Sequence, residues 1–254
     1  MTESLAKAAS TALLSVLSKE DERVDLKEKV ARHLIETFDA YSKIDRVTVP
    51  AIRCVDVLFT GGAFDSFSLT IKTPDGASKD YKTALSDRIR FECAGTRDVS
   101  KYILAANALS HVASCTDSVE AKESARLGLL AMMRNKFPRV RQIASEVLHM
   151  ALSSEDDVDA NTEEVMGMLT ARFWEATMNA EMKEAIHVIY AKLGLEIPKQ
   201  TTAGKKDALK TITEENIVPG VLASSKVPTT HGKKIGDTAD ENSSYQSLVE
   251  FSGR

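Results

Sequence analysis

Aromatic side chains are scarce in this 254-residue sequence, making up 6% of the chain with a single Trp. That scarcity disfavours a β-sandwich or barrel, and the abundance of Ala, Leu, Val, Glu and Lys favours helices. Cysteine is scarcer still: three residues, Cys54, Cys93 and Cys115, odd in number and without C-x-x-C spacing. A disulfide-stapled secreted domain is excluded on that count, as is a dithiol or zinc-ribbon pattern. Positive charge is not in excess, because 33 Lys and Arg stand against 37 Asp and Glu for a net charge of −4. Nucleic acid is therefore not an expected partner. No apolar run approaches the ~18 residues needed to span a bilayer, so no membrane partner is expected either. The start, with Glu3 and no basic region ahead of Ala12-Leu13-Leu14, does not read as a signal peptide. The expectation is a cytoplasmic globular protein.

Glycine and proline are few and unevenly placed. Gly61-Gly62, Gly76, Gly95 and Gly194 fall between periodic segments, while Gly128 and Gly167 fall inside them. Glycine therefore marks helix ends along most of the chain. Between Asp25 and Ser42, the residues Leu26, Val30, Leu34, Phe38 and Tyr41 form one apolar stripe with Lys27, Glu28, Arg32 and Glu36 off it. This spacing predicts an amphipathic helix. A second helix starts at Thr48-Val49-Pro50-Ala51, with Pro in the first turn, and runs to the Gly61-Gly62 stop. Further helices are predicted over 84–92, 99–114, 119–135, 138–152, 162–176 and 181–193, joined by short connections. The acidic loop before the 162–176 helix offers Asn161 or Thr162 as its N-cap.

Residues 63–82 break the pattern. Ser66-Phe67-Ser68-Leu69-Thr70-Ile71-Lys72 alternates with period two and is followed by Thr73-Pro74-Asp75-Gly76, which reads as a short β-hairpin inserted between helices. From Pro198 the composition turns to Lys, Thr, Ser, Gly, Asp and Asn, with Pro198, Pro219 and Pro228 and no helical stripe. Residues 197–254 are accordingly expected to be a disordered tail behind a helical domain over 1–196.

Helices of ~15 residues with no sheet to cover them must bury their stripes on one another, as a bundle or as a stack of helical hairpins. Self-similarity favours the stack. Pro138-Arg139-Val140-Arg141-Gln142-Ile143-Ala144-Ser145-Glu146-Val147-Leu148 has the P-x-V-R-x-x-A-x-x-V-L form of a HEAT-type inner helix, with weaker echoes at 49–58 and 121–130. The fold is read as all-α, a HEAT/armadillo-like α-solenoid of about four or five helical pairs.

Catalytic constellations are not found. His111 and Cys115 lie at i and i+4, yet no further His or Cys pair is near enough in sequence to complete a zinc tetrahedron. Asp157-Val158-Asp159-Ala160-Asn161 opens like an EF-hand loop. Its sixth position is Thr162 rather than Gly and its twelfth is Met168 rather than Glu, so the sharp turn and the bidentate ligand are both missing. Gly204-Lys205-Lys206 lacks the upstream Gly of a P-loop, and no nucleophile elbow occurs. No metal, cofactor or catalytic residue is expected, and the chain is read as a binding protein rather than an enzyme.

One ordered set of segments carries a resemblance. Asp45-Arg46-Val47-Thr48-Val49-Pro50 is followed by Leu58-Phe59-Thr60-Gly61-Gly62-Ala63-Phe64-Asp65 and Gly95-Thr96-Arg97-Asp98-Val99-Ser100-Lys101. Lys136-Phe137-Pro138-Arg139-Val140-Arg141-Gln142-Ile143-Ala144-Ser145 comes next, then Phe173-Trp174-Glu175, closing on Leu193-Gly194-Leu195. Over residues 25–198 this succession resembles the C-terminal region of tubulin-folding cofactor D. The resemblance implies a solenoid chaperone that captures β-tubulin and works with tubulin-folding cofactors C and E to assemble or dismantle the αβ-tubulin dimer. It also implies stimulation of tubulin GTP hydrolysis within that assembly, restraint by an Arf-like small GTPase, and a place in the cytoplasm and on the microtubule cytoskeleton. Members of that family are several times longer, so this sequence is expected to correspond to their last part, as a fragment or a stand-alone piece.

The expected partner-binding residues are Arg139, Arg141 and Gln142 on the inner helix, Phe64 and Asp65 at the Gly61-to-Asp65 corner, and Trp174. For Arg141 a ladder between repeats competes with partner contact, and for Trp174 packing between layers does. The alternative function is a generic α-solenoid interaction scaffold with no link to tubulin.

Overall fold

The computed structural model describes residues 3–18, 24–72, 76, 78–114, 118–155 and 158–197. The expected tail falls outside them apart from Ile197, as do Cys115, Asp157, Gly204-Lys205-Lys206 and the tip of the hairpin at 73–75. Among the described residues there are nine helices and one two-stranded hairpin: α1 (Glu3–Leu17), α2 (Val24–Ala40), α3 (Asp45–Thr60), β1 (Thr70–Lys72), β2 (Ser78–Asp80), α4 (Tyr81–Cys93), α5 (Val99–Ser114), α6 (Val119–Met133), α7 (Pro138–Ser153), α8 (Ala160–Thr170) and α9 (Ala180–Lys192).

Two layers result. Helices α1, α3, α5 and α7 pack side by side in one, and α2, α4 and α6 do so in the other. Each apolar stripe is closed by its sequence neighbour and by the next helix but one, the nearest-neighbour logic of a solenoid. The pairs α2/α3, α4/α5, α6/α7 and α8/α9 give four hairpins, with α1 added on the flank of α3. Alternation fails in the last pair, where α8 lies against α7 and α9 crosses to α6. The fold is all-α and solenoid-like.

The layers come close because small residues line them. In α5, Ala105, Ala106, Ala108 and Ala113 are buried beside Leu109 and Val112. Opposite them, a Cβ on Gly128 would stand 2.7 Å from Leu109 Cδ1 and 2.8 Å from Arg90 Cγ. Gly128 is thus a close-approach point of α6 on α4 and α5, which is why a helix-weakening residue sits in mid-helix.

Helix ends follow local capping. Asp80 caps α4 by accepting from Lys82 N (2.9 Å) and Thr83 N (3.4 Å). Ser118 caps α6 and Asn179 caps α9. Asp159 caps α8 through Thr162 N at 2.7 Å, in place of the expected Asn161 or Thr162. Three other expectations are corrected. Helix α3 begins at Asp45 rather than Thr48, so Pro50 lies inside it instead of in its first turn. Helix α8 ends at Thr170, which leaves Phe173 and Trp174 in the following loop rather than on a helix running to 176. The segment ahead of Asp25, for which no helix was predicted, forms α1: Leu17 is buried, and Leu14 packs where any side chain on Gly61 would collide with it.

The hairpin is shorter than the alternation implied, pairing Thr70 with Asp80, Ile71 with Lys79 and Lys72 with Ser78. It survives because it is seated on an aromatic cluster. Phe64 lies 5.4 Å, centroid to centroid, from each of Phe59, Phe67 and Tyr81. Phe67 alternates like a strand residue yet serves this cluster from a loop.

Candidate partner-binding site

Helix α5 is hemmed in by α3 and α7 within its layer and by α4 and α6 behind it. Its accessible side chains are confined to one stripe containing Ile103, Asn107 and His111. The stripe faces outward from the α3/α5/α7 layer, and two features lie along it. His111 Nε2 stands 3.5 Å from Asp56 Oδ1 and ties α5 to α3. Burial raises the Asp56 carboxyl above its usual range, against the opposing pull of His111 and Arg53.

Further along, α5, α7 and α8 enclose a groove of about 600 Å³ lined by Ile103 and Asn107, by Gln142, Ile143, Glu146, His149 and Met150, and by Leu169 and Arg172. Its floor is aliphatic, and Met150 is 58% exposed beside it. Gln142 Nε2 donates to Glu146 Oε1 at 2.7 Å, while Gln142 Oε1 is buried and accepts nothing. A volume of this size, apolar with a few convergent polar atoms, has the character of a recognition site. A second cleft of about 530 Å³ lies in the other layer between α4 and α6, lined by Arg90, Phe91, Cys93, Tyr102 and Met132.

The expected site residues divide between surface and interior. Arg139 is exposed at the second position of α7, Gln142 forms part of the groove wall, and Asp65 is exposed at the α3–β1 corner. Arg141, Phe64 and Trp174 are interior: Arg141 is 1% exposed, and Phe64 and Trp174 are fully buried. A partner meeting this folded surface touches none of those three. Phe64 is the hub of the aromatic cluster. Trp174 donates Nε1–H to Leu169 O at 2.8 Å. Arg141 donates to Trp174 O (3.0 Å), Asn135 O (2.9 Å), Lys136 O (3.2 Å) and Ala176 O. One guanidinium thereby joins the α6–α7 and α8–α9 connections through main-chain carbonyls, a task its planar fork suits. Burial lowers its pKa from the usual arginine value.

Sequence reasoning did not find Ile103, Asn107, Met150 or Arg172. The i, i+4 step from Ile103 to Asn107 and the i, i+7 step from Ile143 to Met150 were available as signals. A stripe, however, does not reveal which of its two apolar faces meets solvent. It also missed a buried polar cluster at the α2–α3 and α4–α5 connections. Lys101 Nζ donates to Asp45 Oδ1 (2.7 Å) and Glu92 Oε2 (2.9 Å), and Glu92 Oε1 accepts from Lys43 N (2.8 Å) and Ser42 Oγ (3.2 Å). Lys101 and Glu92 are each 1% exposed. Lys43, at φ 61°, turns its ammonium onto Glu92 O (3.2 Å) and Ala94 O (2.9 Å). That places a cation at the C-terminus of α4, where the helix dipole favours one.

Among the described residues no three His, Cys, Asp or Glu side chains are grouped to hold a metal. His111 is engaged with Asp56, and its proposed neighbour Cys115 lies outside the described residues. Burial pushes the Cys93 thiol up to about 12 and raises that of Cys54, so both are poor nucleophiles at neutral pH. Among the described residues no helix is long and apolar enough to cross a membrane.

With this geometry in place, residues 1–101 match the family model for the tubulin folding cofactor D C-terminal domain. The resemblance read from the sequence is thereby shown for that span. The match includes α1, ahead of the point where the sequence reading began, and it takes in the whole buried cluster of Ser42, Lys43, Asp45, Glu92 and Lys101, with Thr48 Oγ1 3.4 Å from Lys101 Nζ. The groove of α5, α7 and α8 lies beyond the matched residues. No solved structure matches the chain.

Proposed function

We propose that this chain is a tubulin-folding cofactor D-like chaperone module that binds β-tubulin and takes part in assembling and dismantling the αβ-tubulin dimer. The match of residues 1–101 carries the reading. The cofactors C and E and an Arf-like GTPase are its proposed further partners, in the cytoplasm and on microtubules. Its role in tubulin GTP hydrolysis is to add to the stimulation within that assembly, without a catalytic site of its own.

The architecture supports a binding role. A two-layer stack presents α1, α3, α5 and α7 as a continuous face, and ordinary specific interfaces bury ~800 Å² on each partner, which four pairs can supply. They cannot enclose a tubulin monomer, so the contact is partial. The test is retention of β-tubulin by the immobilised intact chain at concentrations up to tens of micromolar. Capture is the expected result, and a chain that retains none removes the direct-binding reading. GTP turnover by the isolated chain would overturn its non-enzymatic character.

A further inference from the structure

The connections that lead from each even-numbered helix into the odd-numbered helix after it form one continuous edge of the stack. Lys43 N and Lys101 Nζ both bond the Glu92 carboxylate, which sets the α2–α3 connection against α4–α5. Ala94, Tyr102 and Asn135 line one cleft, which sets α4–α5 against α6–α7. Arg141 joins α6–α7 to α8–α9 through Asn135 O and Trp174 O.

Charge is divided unequally between this edge and the opposite one. Each connection is counted with the four helical residues on either side. Residues 37–48, 90–102, 130–141 and 167–183 then hold eleven Lys and Arg against six Asp and Glu. The segments that join the opposite helix ends, 14–27, 57–84, 111–122 and 150–163, hold seven against fourteen. A chain of net charge −4 thus carries a local excess of cations that its overall composition conceals.

Most acids of the basic edge are engaged. Glu92 is buried on Lys101, Asp45 also bonds Lys101, and Asp39 pairs with Arg88 at 2.7 Å. Asp98 accepts from Ser100 N and Lys101 N at the start of α5, and Glu175 and Glu181 are exposed. The cations, by contrast, are available. Arg97, Arg134, Lys136, Arg139 and Arg172 make no ion pair among the described residues, and all but the half-buried Arg134 are exposed. Helix stability does not account for Arg97 and Arg139. One stands two residues ahead of α5 and the other at the second position of α7, where the helix dipole favours acids, and neither helix has an acid in its first turn.

We infer that this edge binds a protein segment rich in Asp and Glu, held by Arg97, Arg134, Lys136, Arg139 and Arg172. The inference rests on the binding role proposed above and adds the edge used and the chemistry of the segment. Neighbouring helices of a layer lie ~10 Å apart, so the edge from α4–α5 to α8–α9 spans ~20 Å, the reach of about six residues of extended chain. Guanidiniums on connections fixed from within by Arg141 and Lys101 meet carboxylates with little left to order. A nucleic acid fits less well, because Asp98 and Glu175 interrupt the cations and an unbroken run of phosphates meets both.

The test uses the intact chain and a fluorescein-labelled peptide of alternating Glu and Gly, read by fluorescence anisotropy. Saturable binding that weakens with added salt is expected, and a matched peptide of alternating Lys and Gly should bind at least ~10-fold more weakly. Arg97→Glu, Lys136→Glu and Arg139→Glu together should weaken binding of the Glu peptide at least ~10-fold. Lys7→Glu, Lys29→Glu and Lys72→Glu together make the same change in net charge on other surfaces and should leave it within about 2-fold. All of these side chains are exposed, and circular dichroism verifies the fold of each variant.

Equal affinity for the Glu and Lys peptides overturns the inference. An equal loss in the two triple variants does so too, since net charge rather than the edge would then be responsible. Tighter binding of a uridine oligonucleotide of the same charge than of the Glu peptide also overturns it. β-Tubulin capture by the same proteins separates this inference from the function proposed above. A chain that captures β-tubulin but binds no Glu peptide refutes the edge and leaves the tubulin reading standing. Peptide binding at the edge by a chain that captures no tubulin does the reverse.

Discussion

Replacing Lys101 by Met removes one partner of the buried cluster while keeping its volume. Breaking a buried ion pair from one side costs about 3–5 kcal/mol, because the remaining charge is left desolvated. Glu92 is that charge, at 1% exposure, yet its Oε1 keeps the Lys43 amide at 2.8 Å and the Ser42 hydroxyl at 3.2 Å. Asp45 also loses Lys101, but its side chain is 58% exposed and solvent screens it. The expected cost is therefore at the lower end, about 3 kcal/mol, or roughly 6–12 °C in Tm for a domain of this size. Glu92→Leu in the same background removes the stranded charge, so the double variant should be at least ~1 kcal/mol more stable than Lys101→Met alone.

Urea unfolding followed by far-ultraviolet circular dichroism and by fluorescence of the single Trp174, which is fully buried, measures all of these on one chain. Additive losses would refute the reasoning, since two independent sites add and a coupled buried pair does not. The pH dependence gives a second check. Burial raises the Glu92 pKa, but hydrogen bonds from Lys101, Lys43 and Thr48 and the Lys101 charge outweigh it, so the carboxyl sits below its usual 4.5. Its contribution is present above that value and is lost as pH falls through the depressed pKa. For Lys101, burial lowers the pKa while hydrogen bonds and charge from Asp45 and Glu92 outweigh it, raising the ammonium above 10.5. Its contribution is present below 10.5 and is lost as pH rises through the raised pKa. Wild type should thus show a plateau between acid and alkaline declines, with both declines reduced in Lys101→Met.

Arg141→Lys should destabilise the chain by about 2–3 kcal/mol despite keeping the charge, because one ammonium cannot serve the carbonyls of two connections; near-wild-type urea midpoints would refute the clamp. Gly128→Leu should cost about 1–3 kcal/mol or more by forcing Leu109 and Arg90 aside, so a stabilised variant, as helix propensity alone implies, would refute the close approach. Trp174→Phe should cost about 1–2 kcal/mol by leaving Leu169 O without its donor, measured by circular dichroism because the fluorophore is gone.

Most of the helical layers were legible because amphipathic stripes are set by local spacing: α5 was bounded as found, and α6, α7 and α9 within two residues at each end. Errors arose where a cap or a neighbour overrode the stripe. Asp80 begins α4 inside a segment read as hairpin, and Asp45 begins α3 ahead of the proline taken as its start. Helix α1 was passed over although its stripe is no weaker than those of helices that were read, and its core face closes where Leu14 meets Gly61.

The candidate site was less legible for a reason internal to solenoids. The P-x-V-R motif correctly marks α7 as a layer helix, but a motif preserves whatever the stack needs and does not distinguish Arg141, which bridges connections from within, from Arg139, two residues earlier and exposed. Residues two apart on a helix point about 200° apart, so adjacent arginines in one motif necessarily have opposite fates. The groove's own residues come from α5 (103–107), α7 (142–150) and the end of α8 with the loop after it (169–172), and no sequence spacing joins them. Binding surfaces of stacked repeats are in this sense properties of the layer, and a motif within one repeat locates the layer without locating the contact.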